Sequence, residues 1–218
     1  MAQEAAPFLR CFAAPVQLFH YHLVTSKVRL VEARYLGRLG FELVGRYGWV
    51  GESSHWFEPG ASWDELDEKG FRLRLVEVGR GAVNVVIQPG HWDRPRVDHL
   101  GVVLDEDEFH EVIERASELD LKIQDHPGKR TFVATEAGYR LEVHPPREWI
   151  EETLEQVDEL ALAEIHLRSD DPVLKARALA DVLGIQRFGA DVAVGRSIVR
   201  FVPGGPEGRP ELAAEVLE

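Results

Sequence analysis

The stretch Asp98-His99-Leu100-Gly101-Val102-Val103-Leu104 alternates apolar with other side chains, which is typical of a β-strand. Asp105 follows it directly and can cap a helix, whose apolar positions are Phe109, Val112, Ile113, Ala116 and Leu119. Three more strands are predicted at residues 121–124, 130–135 and 139–144. The order is therefore β-α-β-β-β, and this unit organises the whole predicted fold.

The same order occurs before and after this unit. The earlier copy has a strand at 19–24, a helix with Ser26 as its cap and Gly40 as its end, and strands at 41–47, 71–78 and 82–88. The later copy has a strand at 163–168, a helix that Asp171-Pro172 begins, and strands at 185–194, 197–202 and 211–217. The three opening strands align at His22-Leu23, His99-Leu100 and His166-Leu167, which indicates an internal repeat of about 60 to 75 residues.

The repeat predicts an α+β fold of tandem βαβββ modules, two of them paired into a mixed sheet around a cleft, with a third module beside them. We expect a leader at 1–16, modules at 17–90 and 91–146, a linker helix at 147–160 and a third module at 161–218. The polar 48–70 connection, which contains Trp49, Trp56 and Trp63, is either a mobile lid or an excursion over the sheet. Its tryptophans, with Trp92, either line a substrate pocket or anchor the loop.

Charge and cysteine content restrict the function. A net charge of −13 without a basic run disfavours nucleic acid and anionic membranes as partners. Cys11 is the single cysteine, so neither a disulfide framework nor a thiolate metal cluster is expected. No apolar run approaches the roughly 20 residues of a membrane span, and the first residues lack a signal-peptide pattern. A cytoplasmic enzyme or small-molecule binder is the expectation.

The alternation of the strands separates packing residues from candidate functional ones. Leu100, Val102 and Leu104 are predicted to pack against the helix, as are Phe19, Tyr21 and Leu23 in the first module. This leaves the imidazoles of His99, His20 and His22 on the opposite, concave face. In the strand at 139–144 the carboxylate of Glu142 lies on that face too.

Two imidazoles and one carboxylate on rigid strands can hold a divalent ion and leave positions open for substrate. The matched register of the repeats favours His22 over His20, so the predicted ligands are His22, His99 and Glu142. Fe(II), Mn(II), Ni(II), Co(II) and Zn(II) all suit this set. The alternative for each residue alone is a solvated or satisfied side chain on an edge strand.

The repeats, the two matched histidines and Gly138-Tyr139-Arg140-Leu141-Glu142 on a closing strand resemble the vicinal oxygen chelate superfamily. That superfamily includes glyoxalase I, fosfomycin-resistance thiol transferases, bleomycin-binding proteins, methylmalonyl-CoA epimerases and type I extradiol dioxygenases. The resemblance covers nearly the whole chain as a fold pattern. It implies a metal held by a histidine from each opening strand and a glutamate from the closing strand of the second unit, namely His22, His99 and Glu142.

Two departures from the superfamily patterns narrow the reaction. Val86 stands where a glyoxalase I or an epimerase would place a further ligand, so a site with four protein ligands is not expected. Phe132 stands where catechol-cleaving members usually carry a tyrosine, and it cannot donate a hydrogen bond to a substrate oxygen. Bleomycin-type binders usually lack metal ligands, so an intact triad disfavours them.

Three neighbours of the predicted ligands are candidate catalytic residues. His20 and His144 each lie two residues from a proposed ligand on the same strand face, where they can hydrogen-bond it, assist proton transfer or replace it. Arg140 can pair with Glu142 or with an anionic substrate. The alternatives are a solvated His144 beside Pro145 and an exposed Arg140.

The third module has no partner module within the chain, and we expect it to form a homodimer across a two-fold axis. His166 and Glu215, the latter placed in the register of Glu142, are candidates for a second metal site. The leading interpretation is a metal-dependent enzyme whose ion chelates neighbouring oxygens of a small-molecule substrate, or a ring-cleaving dioxygenase if the ion is Fe(II). The alternative is a metal-free small-molecule binding or resistance protein.

Overall fold

The computed structural model of the protein describes residues 16–126, 130–145, 150 and 160–218. The predicted leader therefore lies outside the described residues except for Val16. The predicted linker helix also lies mostly outside them; Ile150 is helical and buried.

The first module contains an addition to the expected strand order. Its elements are β1 (Gln17–Thr25), α1 (Val28–Arg38), β2 (Glu42–Val50), β3 (Ser53–Phe57), α2 (Trp63–Glu68), β4 (Phe71–Arg80) and β5 (Val83–Pro89). β3 pairs with β2 as a hairpin, and Ser62 and Glu65 form a capping box that begins α2. The 48–70 connection is thus a hairpin and a helical turn, which is an excursion with its own secondary structure.

The start of α1 differs from the prediction. Lys27 is the N-cap residue and makes no capping hydrogen bond through its side chain. The hydroxyl of Ser26, the predicted cap, instead donates to Asp93 Oδ1 at 2.9 Å. The predicted end of the helix is confirmed, because Gly40 directly after the C-cap has a φ of 69°.

The second module follows the predicted order. It consists of β6 (Arg96–Val103), α3 (Glu106–Glu118), β7 (Ile123–His126), β8 (Arg130–Ala134) and β9 (Arg140–His144). Asp105 caps α3, as predicted, in a capping box with Glu108. β9 runs parallel to β6, so the closing strand lies beside the opening strand.

The third module has the predicted strands at 197–202 and 211–217 but differs from the prediction within 185–194 and in which strand closes the unit. It consists of β10 (Leu162–Arg168), α4 (Pro172–Leu183), β11 (Arg187–Phe188), β12 (Asp191–Val194), β13 (Ser197–Val202) and β14 (Glu211–Leu217). The predicted strand at 185–194 is split by a turn at Gly189. β13, not β14, is the parallel partner of β10, so β13 closes the unit. β14 runs antiparallel to β10, as β6 does to β1.

The strands form one mixed sheet, which confirms the predicted α+β class. Its order is β11-β12-β13-β10-β14-β6-β1-β5-β4-β2-β3, with β9, β8 and β7 branching from β6. Tyr21, Leu23, Leu100 and Leu104 are buried in the main core, and Tyr139 donates its hydroxyl proton to Lys175 O between the second and third modules. Within the described ranges no helix has the length and apolar character needed to cross a membrane.

Candidate functional site

The two opening strands β1 and β6 pair antiparallel through two symmetric bulges. The register shifts between Leu18 and His20 and again between His22 and Leu23. His20 lies opposite Gly101, and His22 lies opposite His99. His20 and His99 are 79 residues apart in the sequence. Adding 79 to the residue numbers of β1 turns His20 into His99 and His22 into position 101, so the pair of His20 with Gly101 corresponds to the pair of His99 with His22. The two bulges correspond in the same way. Within the sheet, therefore, His20 and not His22 is the counterpart of His99.

The register assumed from the repeat was two residues off, because it matched the dipeptides His22-Leu23 and His99-Leu100. The two bulges lie at equivalent positions, with Phe19 as the extra residue of β1 and Asp98 as that of β6. At the first bulge Leu18 and Tyr21 enter the main core, whereas Phe19, predicted to pack with Tyr21, forms a separate buried cluster with Val103 and Ile150. His20 and His22 share one strand face, so the alternation of the sequence does not decide which of them matches His99.

His20 is held by hydrogen bonds through its outer nitrogen. Its Nδ1 lies 2.7 Å from Asn84 Oδ1, and the amide of Asn84 donates through Nδ2 to Glu77 Oε1 at 2.6 Å. Because the Glu77 carboxylate needs a donor, the amide oxygen of Asn84 faces the imidazole, and His20 carries its proton on Nδ1. Burial lowers the pKa of His20 to about 4. The neutral ring therefore presents an unprotonated Nε2 to the cleft.

His99 is oriented in the same way by a carboxylate. Its Nδ1 lies 2.8 Å from Asp98 Oδ2, and Asp98 also pairs with Arg140. Burial would raise the pKa of Asp98, but the hydrogen bonds from His99 and Arg140 hold it well below its usual value. An ionised carboxylate accepts only, so His99 is protonated on Nδ1 and its Nε2 points inward.

Glu142 completes the cluster from β9. His144 donates from Nε2 to Glu142 Oε1 at 2.8 Å, and Arg130 Nε lies 3.5 Å from the same oxygen. The other oxygen, Oε2, is buried with no hydrogen bond among the described residues, 2.9 Å from His99 Nε2. Burial would raise the pKa of Glu142, but the hydrogen bond from His144 holds it well below its usual value.

Three inner atoms thus converge, and the outer atom of each residue is held by another group. His20 Nε2 lies 3.2 Å from His99 Nε2 and 4.0 Å from Glu142 Oε2. Ligands about 2.1 Å from one ion are separated by about 3 Å when adjacent and by about 4 Å when opposite. Two imidazole lone pairs and one carboxylate oxygen that face each other without an intervening proton fit a divalent cation.

His22, the predicted ligand, lies beside this group. Its ring centroid is 4.7 Å from that of His99, and its nitrogen, with those of His20 and His99, belongs to a set of three within 4.8 Å of one another. Its Nε2 is buried and makes no hydrogen bond within the described part of the chain. Burial, followed by the neighbouring His99 and His20, holds the pKa of His22 well below its usual value.

The two other predicted catalytic residues act on the cluster from its edge. His144 is fully buried and hydrogen-bonds Glu142, so it is not the solvated residue that was the alternative. Arg140 pairs with Asp98, not with Glu142, and its guanidinium lies 4.6 Å from the centroid of the Phe132 ring. Phe132 in turn packs edge-on against His99 at 5.1 Å and forms an apolar wall of the cleft.

The tryptophans outside the cleft have individual structural roles. Trp63 lies under two guanidinium groups, those of Arg29 and Arg46, at 4.4 and 4.5 Å. Trp92 packs with Arg96 at 4.7 Å. Trp56 is 41% exposed and covers the backbone at Gly45, where an added Cβ would lie 2.4 Å from the indole.

The proposed second metal site is contradicted by the strand register. His166 lies opposite Ala214, and Glu215 is paired with Ile165, whose side chain is on the core face. Glu215 is buried and pairs with Arg34 of α1 at 2.8 Å. His166 instead bonds Glu164 at 2.6 Å. The two residues lie on opposite faces of β14 and β10 and cannot share an ion.

Sequence reasoning missed Asp98, Asn84 and Glu77, the outer partners of the histidines. Asp98 precedes His99 directly, which is a usable signal because a bulge lets adjacent residues share a face. Asn84 and Glu77 sit on separate strands, and only the pairing of β1, β4 and β5 brings them to His20.

Comparison with known proteins agrees with this architecture at the level of the fold. No protein-family model matches the chain, and no curated protein matches it in sequence. Among solved structures, an Mn(II)-bound glyoxalase from Novosphingobium aromaticivorans is similar over 93% of this chain and 65% of its own, with a TM-score of 0.51 and 15% identity. A mutant 4-hydroxymandelate synthase from Streptomyces coelicolor is similar over 92% of this chain and 65% of its own, with a TM-score of 0.58 and 12% identity.

A third similar structure is the 2,3-dioxygenase LapB from Pseudomonas sp. KL28, which matches over 92% of this chain and 74% of its own, with a TM-score of 0.52 and 12% identity. The chain thus spans about two thirds of the length of the first two structures. The tandem βαβββ modules and the paired opening strands thus form a fold that this chain shares with these solved structures. At these identities the likeness concerns the fold alone.

Proposed function

We propose that this protein is a metal-dependent enzyme that holds a divalent ion at His20, His99 and Glu142. The observation that carries the proposal is the convergence of His20 Nε2, His99 Nε2 and Glu142 Oε2, each turned inward by a hydrogen bond at its outer atom. His20 replaces His22 in the predicted set, because the Nδ1 proton of His20 is fixed by Asn84 and the bulged register makes His20 the counterpart of His99.

The substrate of the proposed enzyme is a small molecule with neighbouring oxygens. A bound divalent ion would act as a Lewis acid that polarises such oxygens and stabilises developing negative charge. The protein groups keep the site apolar and ordered: Phe132 shields His99 from solvent, and Phe19 packs beside His144 with ring centroids 6.0 Å apart. Arg130, more than half exposed beside Glu142, places a cation at the edge of the cleft that favours an anionic substrate.

Glyoxalase-type and ring-cleaving chemistry are both compatible with the donor set, and the ion separates them. The named neighbours include an Mn(II)-bound glyoxalase and a 2,3-dioxygenase. An Fe(II) ion would admit dioxygen chemistry, whereas Mn(II), Ni(II), Co(II) or Zn(II) would favour lyase, isomerase or transferase chemistry. Phe132 offers no hydrogen bond to a catechol oxygen, which favours the second group.

Metal analysis tests this proposal. Untagged protein is reconstituted anaerobically with each ion, passed over a desalting column and measured for bound metal. We expect one ion per wild-type chain and none for His99→Ala or Glu142→Ala, because each loses one of three ligands. His166→Ala is the matched control, since His166 lies in the third module, and it should retain the ion.

A wild-type chain that retains none of these ions under reducing conditions would contradict the proposal. The metal-free binding protein would then be the better interpretation. Oxygen uptake with catechols by the Fe(II) form, measured with an oxygen electrode, decides between the two kinds of chemistry.

A further inference from the structure

The loop between β13 and β14, residues 203–210, is fixed to the second module at several points. The ammonium group of Lys175, which is buried, donates to Gly208 O at 2.8 Å and to Ala137 O. Gly138 contacts the same backbone so closely that an added Cβ would lie 2.7 Å from Gly208, and its φ of +82° also requires glycine. This 203–210 loop is therefore held rigidly against the turn that precedes β9.

Arg209, near the end of this loop, reaches the candidate metal centre of the first two modules. Its Nη2 lies 2.5 Å from Asp98 Oδ1. The other oxygen, Asp98 Oδ2, accepts a hydrogen bond from His99 Nδ1 at 2.8 Å and pairs with the guanidinium of Arg140. Asp98 is 5% exposed. The buried carboxylate is thus held between a guanidinium from the third module and one from the second, and its remaining contact is with the imidazole of His99.

We propose that Arg209 is a positioning residue through which the third module completes the candidate centre. Arg209 fixes the orientation of Asp98, and Asp98 keeps the proton of His99 on Nδ1, so that Nε2 faces His20 and Glu142. This inference rests on the proposed function for its importance, because the inward Nε2 is the atom that would bind the ion. It gives the third module a functional role that needs no second metal site and no second subunit.

The contact of Arg209 with Asp98 differs from the contacts that only hold the third module against the second. Docking is already provided by Lys175, by the backbone contact at Gly138, and by Arg115, which donates to Val182 O and Leu183 O. None of these groups touches Asp98 in the described structure. The bond from Arg209, in contrast, ends on the carboxylate that orients His99.

The test compares Arg209→Gln with Arg94→Gln in the full-length chain. Arg94 is the matched control because it lies at the same junction but pairs with Glu211 instead of Asp98. The side chain of Arg94 is 72% exposed. In the metal-free proteins, long-range ¹H–¹⁵N correlation spectra of the histidine rings report the tautomer of His99. We expect the Nδ1–H form in the wild type and in Arg94→Gln, and a mixture of tautomers in Arg209→Gln.

Calorimetric titration with Mn(II) or Co(II) provides the second readout. Loss of a partner that bonds a ligand directly costs about 10- to 100-fold in metal affinity, which is the expectation for Asp98→Ala. Arg209 acts one bond further out, so we expect Arg209→Gln to lose about 3- to 10-fold, with recovery in Arg209→Lys. Urea unfolding should give the same midpoint for the Arg94 and Arg209 variants.

An Arg209→Gln protein with the His99 tautomer and metal affinity of Arg94→Gln would overturn the inference and leave the proposed function standing. If the wild type bound no ion, the proposed function would fail, yet the tautomer spectra would still decide the role of Arg209. A Gln variant that unfolds with an earlier midpoint and an unchanged tautomer would also overturn it, because Arg209 would then be only a docking residue.

Discussion

β1 with β6 and β10 with β14 form two antiparallel pairs that carry the same pattern of bulges. In the second pair the register shifts between Leu162 and Glu164 and again between His166 and Leu167. Glu164 therefore occupies the place of His20, and Ala214 occupies the place of His99. The second pair thus repeats the backbone pairing of the first, but it does not repeat the two histidines whose nitrogens could bind a metal ion.

The polar groups of the two regions are satisfied in opposite ways. At β10 the carboxylate of Glu164 bonds His166 at 2.6 Å and Arg200 at 3.3 Å, so the charges neutralise one another in a partly exposed network. At β1 and β6 the hydrogen bonds of the histidines run outward to Asn84 and Asp98 and leave the inner atoms facing each other. A metal centre therefore depends on partners that turn the donors inward, and the bulged pair alone does not create one.

The largest expected effect comes from removing the histidine at the matched position of the first pair. His20→Ala removes one of three proposed ligands, so affinity for Mn(II) or Co(II) should fall by more than about 100-fold, beyond what outer partners contribute. Glu164→Ala changes the matched residue of the second pair and should leave affinity unchanged. Isothermal titration calorimetry of both variants measures the difference. Equal affinities would contradict the assignment of His20.

Gly101 lies opposite His20 in the first pair, and Val216 lies opposite Glu164 in the second. A Cβ on Gly101 would lie 2.8 Å from the Cβ of His20, so Gly101→Val forces His20 aside. The expected cost is about 1–3 kcal/mol in the free energy of unfolding, together with weaker metal binding. Val216 is the counterpart of Gly101 and is 38% exposed, so Val216→Ala should change stability by less than about 0.5 kcal/mol. Urea unfolding of the metal-free variants checks both; a neutral Gly101→Val would show that His20 is not confined.

The outer partner of His20 provides the next smaller effect. Asn84→Ala removes the acceptor that holds the His20 proton on Nδ1, and metal affinity should fall about 10-fold. Ile198 faces Glu164 as Asn84 faces His20, so Ile198→Ala is the matched control and should bind the ion as the wild type does. Co(II) titration followed by its visible absorption measures both. An Asn84 variant with undiminished affinity would mean that the tautomer of His20 is set by the ion alone.

The sequence predicts most helices and strands well because their signals are local. Apolar alternation and the caps at Asp105 and Asp171 define the elements that the structure contains. The register between strands is not local. Matching the shared His-Leu dipeptides selected His22, whereas the strand pairing makes His20 the counterpart of His99. Glu215 was misplaced for a related reason, since its burial beside Arg34 depends on β14 lying next to the first module's helix.

The smallest expected effect distinguishes the structural assignment from the sequence-based one. His22→Leu removes an imidazole whose Nε2 is buried without a hydrogen bond in the described structure, and it leaves the three converging atoms in place. Metal affinity should stay within about threefold of the wild type. The free energy of unfolding of the metal-free protein should be equal or about 1 kcal/mol higher, because an unpaired buried polar atom is removed. Calorimetric titration and urea unfolding measure the two quantities. If metal affinity fell as far as it does in His20→Ala, His22 would be a ligand. The pairing register of β1 and β6 would then not identify the histidine that binds the ion.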